Sequence, residues 1–150
     1  MGRVKVEGSS IAFEERGKGE PLLLLHGWNA TGKIWLLNLK AFAPRFRVIA
    51  PDLPGHGDSE ECAAFPYTRD GMADFLDAFR RALRLPSFRL VGHDMGGCVA
   101  IRYAARFPEA VRRLVLVSTP TRTASLGPHA LLPGAACIAR ATYGLRNEGF

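Results

Sequence analysis

The residues with the clearest chemical meaning lie in one short segment, Gly92-His93-Asp94-Met95-Gly96. A buried strand is predicted before it by the apolar run Phe88–Val91, and a helix is predicted after it by the periodicity of Gly97–Phe107. Asp94 therefore lies at a sharp strand-to-helix turn, where the strained backbone requires small residues two places before and after it. Such a turn presents its central side chain at the carboxyl edge of a parallel sheet, where ligands bind in open α/β folds.

A carboxylate at this position can act as a nucleophile without a base to activate it. A serine hydroxyl must first lose its proton, whereas an ionised Asp94 can displace a leaving group from a saturated carbon. The product is an alkyl ester of Asp94, which an activated water would cleave at the carboxyl carbon. The backbone N–H of Met95, at the start of the predicted helix, would face the oxyanion formed in that second step.

The composition indicates one ordinary globular domain. The 150 residues are 47% hydrophobic and 23% charged, which excludes a disordered, collagen-like or coiled-coil chain. The longest apolar run, Pro21–Leu25, is far shorter than the roughly 20 residues of a membrane-spanning helix. The net charge of +6 comes from scattered arginines, not from a basic face interleaved with aromatics, so we do not expect nucleic-acid binding.

The cysteines and the N-terminus suggest where the protein works. None of Cys62, Cys98 and Cys137 lies in a metal or redox motif, and the first ten residues lack the apolar stretch of a secretory signal. We therefore expect a cytoplasmic protein that holds no metal and no cofactor and acts on a small molecule.

Alternating strand and helix patterns predict an α/β fold, a doubly wound and mostly parallel sheet with flanking helices. Strands are predicted at Ile11–Arg16, Pro21–Leu25, Phe46–Ala50, Phe88–Val91 and Val111–Val117, and helices at Ile34–Phe42, Thr68–Leu83 and Gly97–Phe107. Beyond Pro120 the pattern predicts a helix at Ala135–Tyr143 and no further strand. Strand Val111–Val117 would then be an uncovered sheet edge, through which the chain could self-associate, and its stability would be low.

Four features, in order along the chain, resemble the first part of an α/β-hydrolase. They are His26-Gly27-Trp28 after one strand, Asp52-Leu53-Pro54-Gly55-His56-Gly57-Asp58-Ser59 after the next, the turn around Asp94, and the small-faced helix that follows it. The resemblance covers nearly everything from Ile11 to Ser118. It implies that residues 1–119 form the N-terminal part of the hydrolase core, truncated before the last strands, and that residues 120–150 begin a cap.

The resemblance also implies roles for individual residues. Asp94 would be the nucleophile, and the backbone N–H groups of Trp28 and Met95 would form the oxyanion hole. His56 would be a structural residue of its own turn. We call His26-Gly27-Trp28 the oxyanion loop. The residues that would support the turn and this loop are His26, Gly27, Gly92, His93, Gly96 and Gly97.

Two parts of the expected catalytic machinery are missing from the sequence. An enzyme of this type needs an acid and then a general-base histidine after the nucleophile. The only histidine after Asp94 is His129, which lies in the predicted cap, where we expect no catalytic role; Ser118-Thr119-Pro120 offers no acid. We therefore expect the chain to be incomplete, so that Asp94 is alkylated once without turnover.

The substrate class follows from the resemblance, with alternatives. Relatives with Asp at the turn include epoxide hydrolases and haloalkane or haloacetate dehalogenases, which cleave C–O or C–halogen bonds. Asn29 stands where epoxide hydrolases usually have Pro, and Met95 where haloalkane dehalogenases usually have Trp and haloacetate dehalogenases tend to have Arg. Gly-His-x-Met-Gly-Gly is more similar to esterases and C–C bond hydrolases, with Ser replaced by Asp.

Two other hypotheses about the function differ in their support from the sequence. A non-catalytic α/β-hydrolase-like binding domain stays open beside the esterase or C–C hydrolase relative. A Rossmann dinucleotide site is not indicated, because no Gly-x-Gly-x-x-Gly follows the first predicted strand.

Overall fold

The computed structural model describes residues 1–120 and 138–141. The strands are β1 Gly2–Val6, β2 Ser9–Arg16, β3 Glu20–Leu25, β4 Phe46–Pro51, β5 Phe88–His93, β6 Val111–Val117 and β7 Ile138–Ala141. The helices are α1 Leu36–Phe42, α2 Arg69–Ala82 and α3 Met95–Arg106, with short 3-10 turns at Gly32–Trp35 and Pro108–Ala110. No helix in these described ranges is both long and apolar enough to cross a membrane.

The seven strands of the described residues form one sheet in the order β1-β2-β4-β3-β5-β6-β7. Strand β2 runs antiparallel to β1 and β4, and the remaining neighbours are parallel. The predicted α/β class with a mostly parallel sheet is therefore confirmed, and the antiparallel part is the N-terminal hairpin. The carboxyl ends of β3, β4, β5 and β6 meet at one edge, which is where the predicted site residues lie.

Both faces of the sheet are covered, and the leucines of β3 show how. Successive side chains of a strand point to opposite faces. Leu23 and Leu25 belong to the core beneath α2 and α3, whereas Leu22 and Leu24 pack with Trp35 and other residues on the other face. A strand apolar at every position is thus buried on both sides, as parallel sheets require.

Helix α2 shows why its sequence forms a helix and what holds it to α3. The hydroxyl of Thr68 caps the helix by accepting the N–H of Gly71 at 3.1 Å. Its apolar face is buried in the core through Met72, Phe75, Leu76 and Phe79. Between the helices, the buried Tyr103 hydroxyl donates to Oδ1 of Asp77 at 3.1 Å, and Arg80 and Arg81 neutralise the same carboxylate.

Two sequence predictions about the ends of the chain are wrong. Residues 138–141 are not helical but form β7, which pairs in parallel with β6 from Leu114↔Ile138 to Val117↔Ala141. Val111–Val117 is therefore not an uncovered edge, because β7 occupies the backbone groups on that side of it. The apolar pattern of so short a segment cannot distinguish a helix from a strand. Here the backbone N–H and C=O groups of β6 provide hydrogen-bond partners, which makes strand pairing favourable.

The sequence did not predict strand β1, because it is an edge strand with little apolar content. Its residues alternate between exposed and less exposed, and pairing with β2 through Gly2↔Phe13 to Val6↔Ser9 stabilises it. The turn after it, at Glu7 and Gly8, has φ of 46° and 88°. Two successive positive φ angles are the geometry that tight hairpins favour, and the Glu-Gly pair was the signal for it.

Candidate functional site

Asp94 occupies a strained turn between β5 and α3. Its φ of 49° and ψ of −119° place a non-glycine residue in a region that L-residues rarely adopt. Asn29 and Ser118, which follow β3 and β6, also have positive φ, 51° and 46°. Three strained residues therefore lie at the carboxyl ends of three neighbouring strands, and such strain commonly accompanies a functional site.

Steric contacts explain the glycines around Asp94. A Cβ on Gly92 would lie 2.6 Å from both the backbone oxygen of Gly96 and the Cα of Gly97. A Cβ on Gly96 would overlap the backbone oxygen of His26, and one on Gly97 would overlap the hydroxyl of Thr119. Each glycine thus allows backbone segments to approach closely, so β5, α3 and the loop after β3 pack together at this turn.

The carboxylate of Asp94 accepts hydrogen bonds from the two predicted oxyanion donors. The backbone N–H of Trp28 donates to Oδ2 of Asp94 at 3.0 Å. Together with the backbone N–H of Met95, this hydrogen bond holds the pKa of Asp94 below its ordinary value, which keeps the carboxylate ionised at neutral pH. The structure thus brings the backbone N–H groups of Trp28 and Met95 to the carboxylate of Asp94, with Trp28 on Oδ2.

Gly27 allows the oxyanion loop to approach the carboxylate. A Cβ at Gly27 would lie 2.7 Å from both Cβ and Oδ2 of Asp94, and 3.1 Å from Nδ1 of His93. The sequence predicted that Gly27 shapes the loop, but nothing in its spacing indicated that it touches Asp94 and His93 directly.

His26 is placed as a structural residue of this loop. Its side chain is 0% exposed, and Nε2 accepts the backbone N–H of Leu53 at 2.9 Å. The other nitrogen, Nδ1, therefore carries the proton and donates to the backbone oxygen of Gly27 at 2.8 Å. Burial lowers the pKa of His26, so the ring stays neutral and ties the loop after β3 to the loop after β4.

Asp52 is a structural residue whose role the sequence did not reveal. Its buried carboxylate accepts the N–H of Gly32 on Oδ1 at 2.7 Å and that of Asp58 on Oδ2 at 2.8 Å. The Ser59 hydroxyl donates to the backbone oxygen of Asp52 at 2.7 Å. The motif from Asp52 to Ser59 thus folds around its first residue and fixes the start of the turn that carries Trp35.

The remaining aromatic rings form the rim and floor of the site. Nδ1 of His56 donates to the backbone oxygen of Pro54 at 3.0 Å, and its ring lies 5.1 Å from that of His26 and 6.1 Å from that of Trp28. The indole of Trp28 is 74% exposed, so this residue contacts Asp94 through its backbone and leaves its side chain at the rim. His93, the last residue of β5, packs edge-to-face with Trp35.

Among the described residues, the site is a carboxylate with backbone donors and no neighbouring base. Within residues 1–120 and 138–141, no histidine ring is hydrogen-bonded to Asp94, and no three His, Cys, Asp or Glu side chains are grouped closely enough to hold a metal ion. His129 lies outside the described residues. The arrangement can supply a nucleophilic oxygen and stabilise an oxyanion, which are two of the functions that a hydrolase needs.

A carboxylate at a strained strand-to-helix turn with backbone donors, set at the carboxyl edge of a mostly parallel sheet, is typical of one class of protein. Residues 20–148 match the model of the alpha/beta hydrolase fold. The chain belongs to this family.

Individual relatives differ in the reaction that their names describe. The chain is 40% identical over 116 residues to pimeloyl-[acyl-carrier protein] methyl ester esterase of Nitrosomonas europaea, covering 75% of this chain and 42% of the esterase. It is 34% identical to epoxide hydrolase CorEH, with a TM-score of 0.72, covering 79% of this chain and 41% of that structure. The ancestral haloalkane dehalogenase AncHLD2 is also 34% identical, with a TM-score of 0.74 and coverage of 79% and 42%. The chain therefore spans less than half the length of each of these three relatives.

Proposed function

We propose that this chain is the N-terminal part of an α/β-hydrolase that acts through Asp94 on a small epoxide or alkyl halide. The observation that carries the proposal is the hydrogen bond from the Trp28 N–H to Oδ2 of Asp94, with the Met95 N–H on the same carboxylate. These are the two donors that the sequence assigned to the oxyanion hole.

The backbone N–H groups of Trp28 and Met95 already interact with the Asp94 carboxylate, which favours an aspartate mechanism over ester hydrolysis. In a serine-type reaction, such donors must be free to bind the carbonyl oxygen of the substrate. Here the Trp28 N–H binds Oδ2 of Asp94, and the Met95 N–H also stabilises the carboxylate, so we assign Oδ1 as the attacking oxygen. Oδ1 forms a bond to the substrate carbon while the C–halogen or C–O bond breaks, and the electron pair leaves with the halide or the epoxide oxygen.

The second step places the negative charge where the donors already are. Water adds to the carboxyl carbon of the ester, and the resulting oxyanion on Asp94 is stabilised by the N–H groups of Trp28 and Met95. Collapse of the oxyanion breaks the bond between the carboxyl carbon and the alkylated Oδ1, which leaves as the product alcohol, and the water oxygen completes the regenerated carboxylate. This step requires a base to take the proton from water. The base and its orienting acid are assigned to the part of the protein that this chain does not span.

The experiment is alkylation of the chain by an excess of a reactive aryl epoxide or alkyl iodide, followed by intact mass spectrometry and peptide mapping. With the free thiols blocked beforehand, we expect a single adduct on Asp94, no adduct in Asp94→Asn, and an unchanged adduct in Glu61→Gln, which removes an exposed carboxylate outside the site. No adduct, or one at another residue, would refute the nucleophile. Release of product over many cycles would contradict the assignment of the base to a part of the protein outside this chain.

The second candidate is a relative of serine-type esterases in which Asp replaces the serine. The 40% identity to a methyl ester esterase and the Gly-His-x-Met-Gly-Gly segment favour it. Replacing Asp94 by Ser would free both backbone donors for a substrate carbonyl. Binding of an ester by Asp94→Ser that shifts the NMR signals of the Trp28 and Met95 amides, with no alkylation of the natural chain, would support this candidate over the first.

A further inference from the structure

Two buried nitrogen atoms beneath the oxyanion loop lack hydrogen-bond partners. Within the described residues, neither Nε1 of Trp35 nor Nδ1 of His93 has a partner, although both atoms are shielded from solvent. Trp35 is only 8% exposed. Their rings lie edge-to-face, with centroids 6.3 Å apart and an interplanar angle of 87°. Unpaired buried polar atoms are unfavourable and rare in folded proteins, so each of these two atoms requires a partner, and the rings that carry them are neighbours.

The chemistry of the two atoms specifies that partner. An indole N–H can only donate, and an imidazole Nδ1 without a proton can only accept. A water molecule both accepts and donates, and with two hydrogen bonds of about 2.9 Å it can bridge atoms up to about 5.5 Å apart. We propose that one buried water accepts from Nε1 of Trp35 and donates to Nδ1 of His93. This bridge fixes His93 in its Nε2–H tautomer.

The bridge lies behind the nucleophile, which gives it a positioning role. Gly27 is packed between Nδ1 of His93 and Oδ2 of Asp94, since its added Cβ would lie 3.1 Å from the first and 2.7 Å from the second. The next residue, Trp28, donates its N–H to Asp94. A fixed His93 ring therefore supports the loop that holds the carboxylate. This positioning role rests on the proposed function, whereas the water site does not.

Trp35 itself is held by the fold on its other side. The turn Gly32–Trp35 begins where the Gly32 N–H donates to buried Asp52, and the Trp35 ring packs against Leu39 and the strand residues of the smaller core. The indole is thus fixed independently of His93, so loss of its N–H removes the bridge without removing the anchor at Asp52.

The water site is tested on the natural chain by NMR. Only two tryptophans are present, so Trp28→Phe assigns the indole signals. We expect the indole proton of Trp35 to show a cross-peak to a long-lived water and the nitrogens of His93 to show the Nε2–H tautomer. No water cross-peak, a direct coupling from the indole to His93, or an Nδ1–H tautomer would each overturn the site.

The positioning role is tested with Trp35→Phe, which removes the donor but keeps an aromatic ring. We expect both His93 tautomers to become populated and hydrogen exchange of the Trp28 amide to accelerate at least about tenfold. Leu37→Ala, at an exposed position of α1, is the control and should leave both unchanged. An unchanged Trp28 amide in a folded Trp35→Phe would refute the positioning role. Failure of Asp94 to be alkylated would refute the proposed function and leave the water site standing, because the NMR readouts of that site do not depend on alkylation.

Discussion

Replacing Gly27 by Ala tests whether the oxyanion loop must touch the nucleophile. The new Cβ would lie 2.7 Å from both Cβ and Oδ2 of Asp94, which is closer than real Cβ atoms approach. To reach an ordinary carbon contact of about 3.5 Å, the loop or the carboxylate must move by about 0.8 Å. That movement lengthens the hydrogen bond from the Trp28 N–H, now 3.0 Å.

The size of the effect follows from that displacement. Misplacing a reacting group by about 1 Å can slow a reaction about 100-fold, so we expect alkylation of Asp94 to slow by about 10- to 100-fold in Gly27→Ala. The substitution also changes the pKa of Asp94 in a definite direction. The Trp28 hydrogen bond is the main cause of the lowered pKa of Asp94, so weakening it raises that pKa. The pH at which alkylation is half-maximal therefore moves upward in the variant.

The assay is the rate of adduct formation with excess alkyl iodide, followed by intact mass spectrometry across a pH series. Gly8→Ala is the control: an added Cβ there meets nothing within 4 Å, and its φ of +88° adds only local strain. It should melt at a lower temperature but alkylate at the natural rate. A folded Gly27→Ala that alkylates as fast as the natural chain, with the same pH profile, would refute the importance of this contact.

Three further predictions concern the scaffold of the site. Asp52→Asn replaces one of two buried oxygens that each accept a backbone N–H, and we expect it to lower the free energy of unfolding in urea by about 1.5–3 kcal/mol; an unchanged midpoint would contradict the anchoring role. Tyr103→Phe removes one donor from Asp77, which keeps its two arginines, so the loss should be about 0.5–1.5 kcal/mol by the same measurement. His26 has a lowered pKa in the folded state, so the unfolded chain binds its proton first, and stability should fall as pH drops below about 6.5. His26→Gln should flatten that dependence, and an equally steep one would exclude His26 as its cause.

The central part of the fold could be predicted because its signals are local. The apolar run of β3, the helical period of α2 with its Thr68 cap, and the glycine spacing around Asp94 each report a nearby constraint of backbone or burial. Strand β7 depends on pairing with the distant strand β6, whereas β1 pairs with the adjacent β2 but carries little apolar signal of its own. A four-residue segment such as Ile138–Ala141 carries too few residues for its period to decide its structure.

The sequence indicated which residues form the site but not which of their atoms are in contact. The resemblance pointed to Trp28 and Met95, and the structure places both N–H groups on Asp94. The bond from Trp28 joins residues 66 positions apart, so no spacing rule could reveal that the carboxylate itself fills the donors. The packing of Gly27 between two side chains depends on the same long-range approach.

The occupied donors also explain how one scaffold can be similar to both an esterase and an epoxide hydrolase. A serine has one side-chain oxygen, so at such a turn the backbone donors stay available for a carbonyl of the substrate. An aspartate is one atom longer and carries a second oxygen; at position 94, Oδ2 accepts the N–H of Trp28, and the Met95 N–H also holds the pKa of the carboxylate low. In the mechanism that we propose, the same turn and donors stabilise charge on the carboxyl group of Asp94 itself. Exchange of a single residue would then change which molecule carries the oxyanion, with no other change in the scaffold.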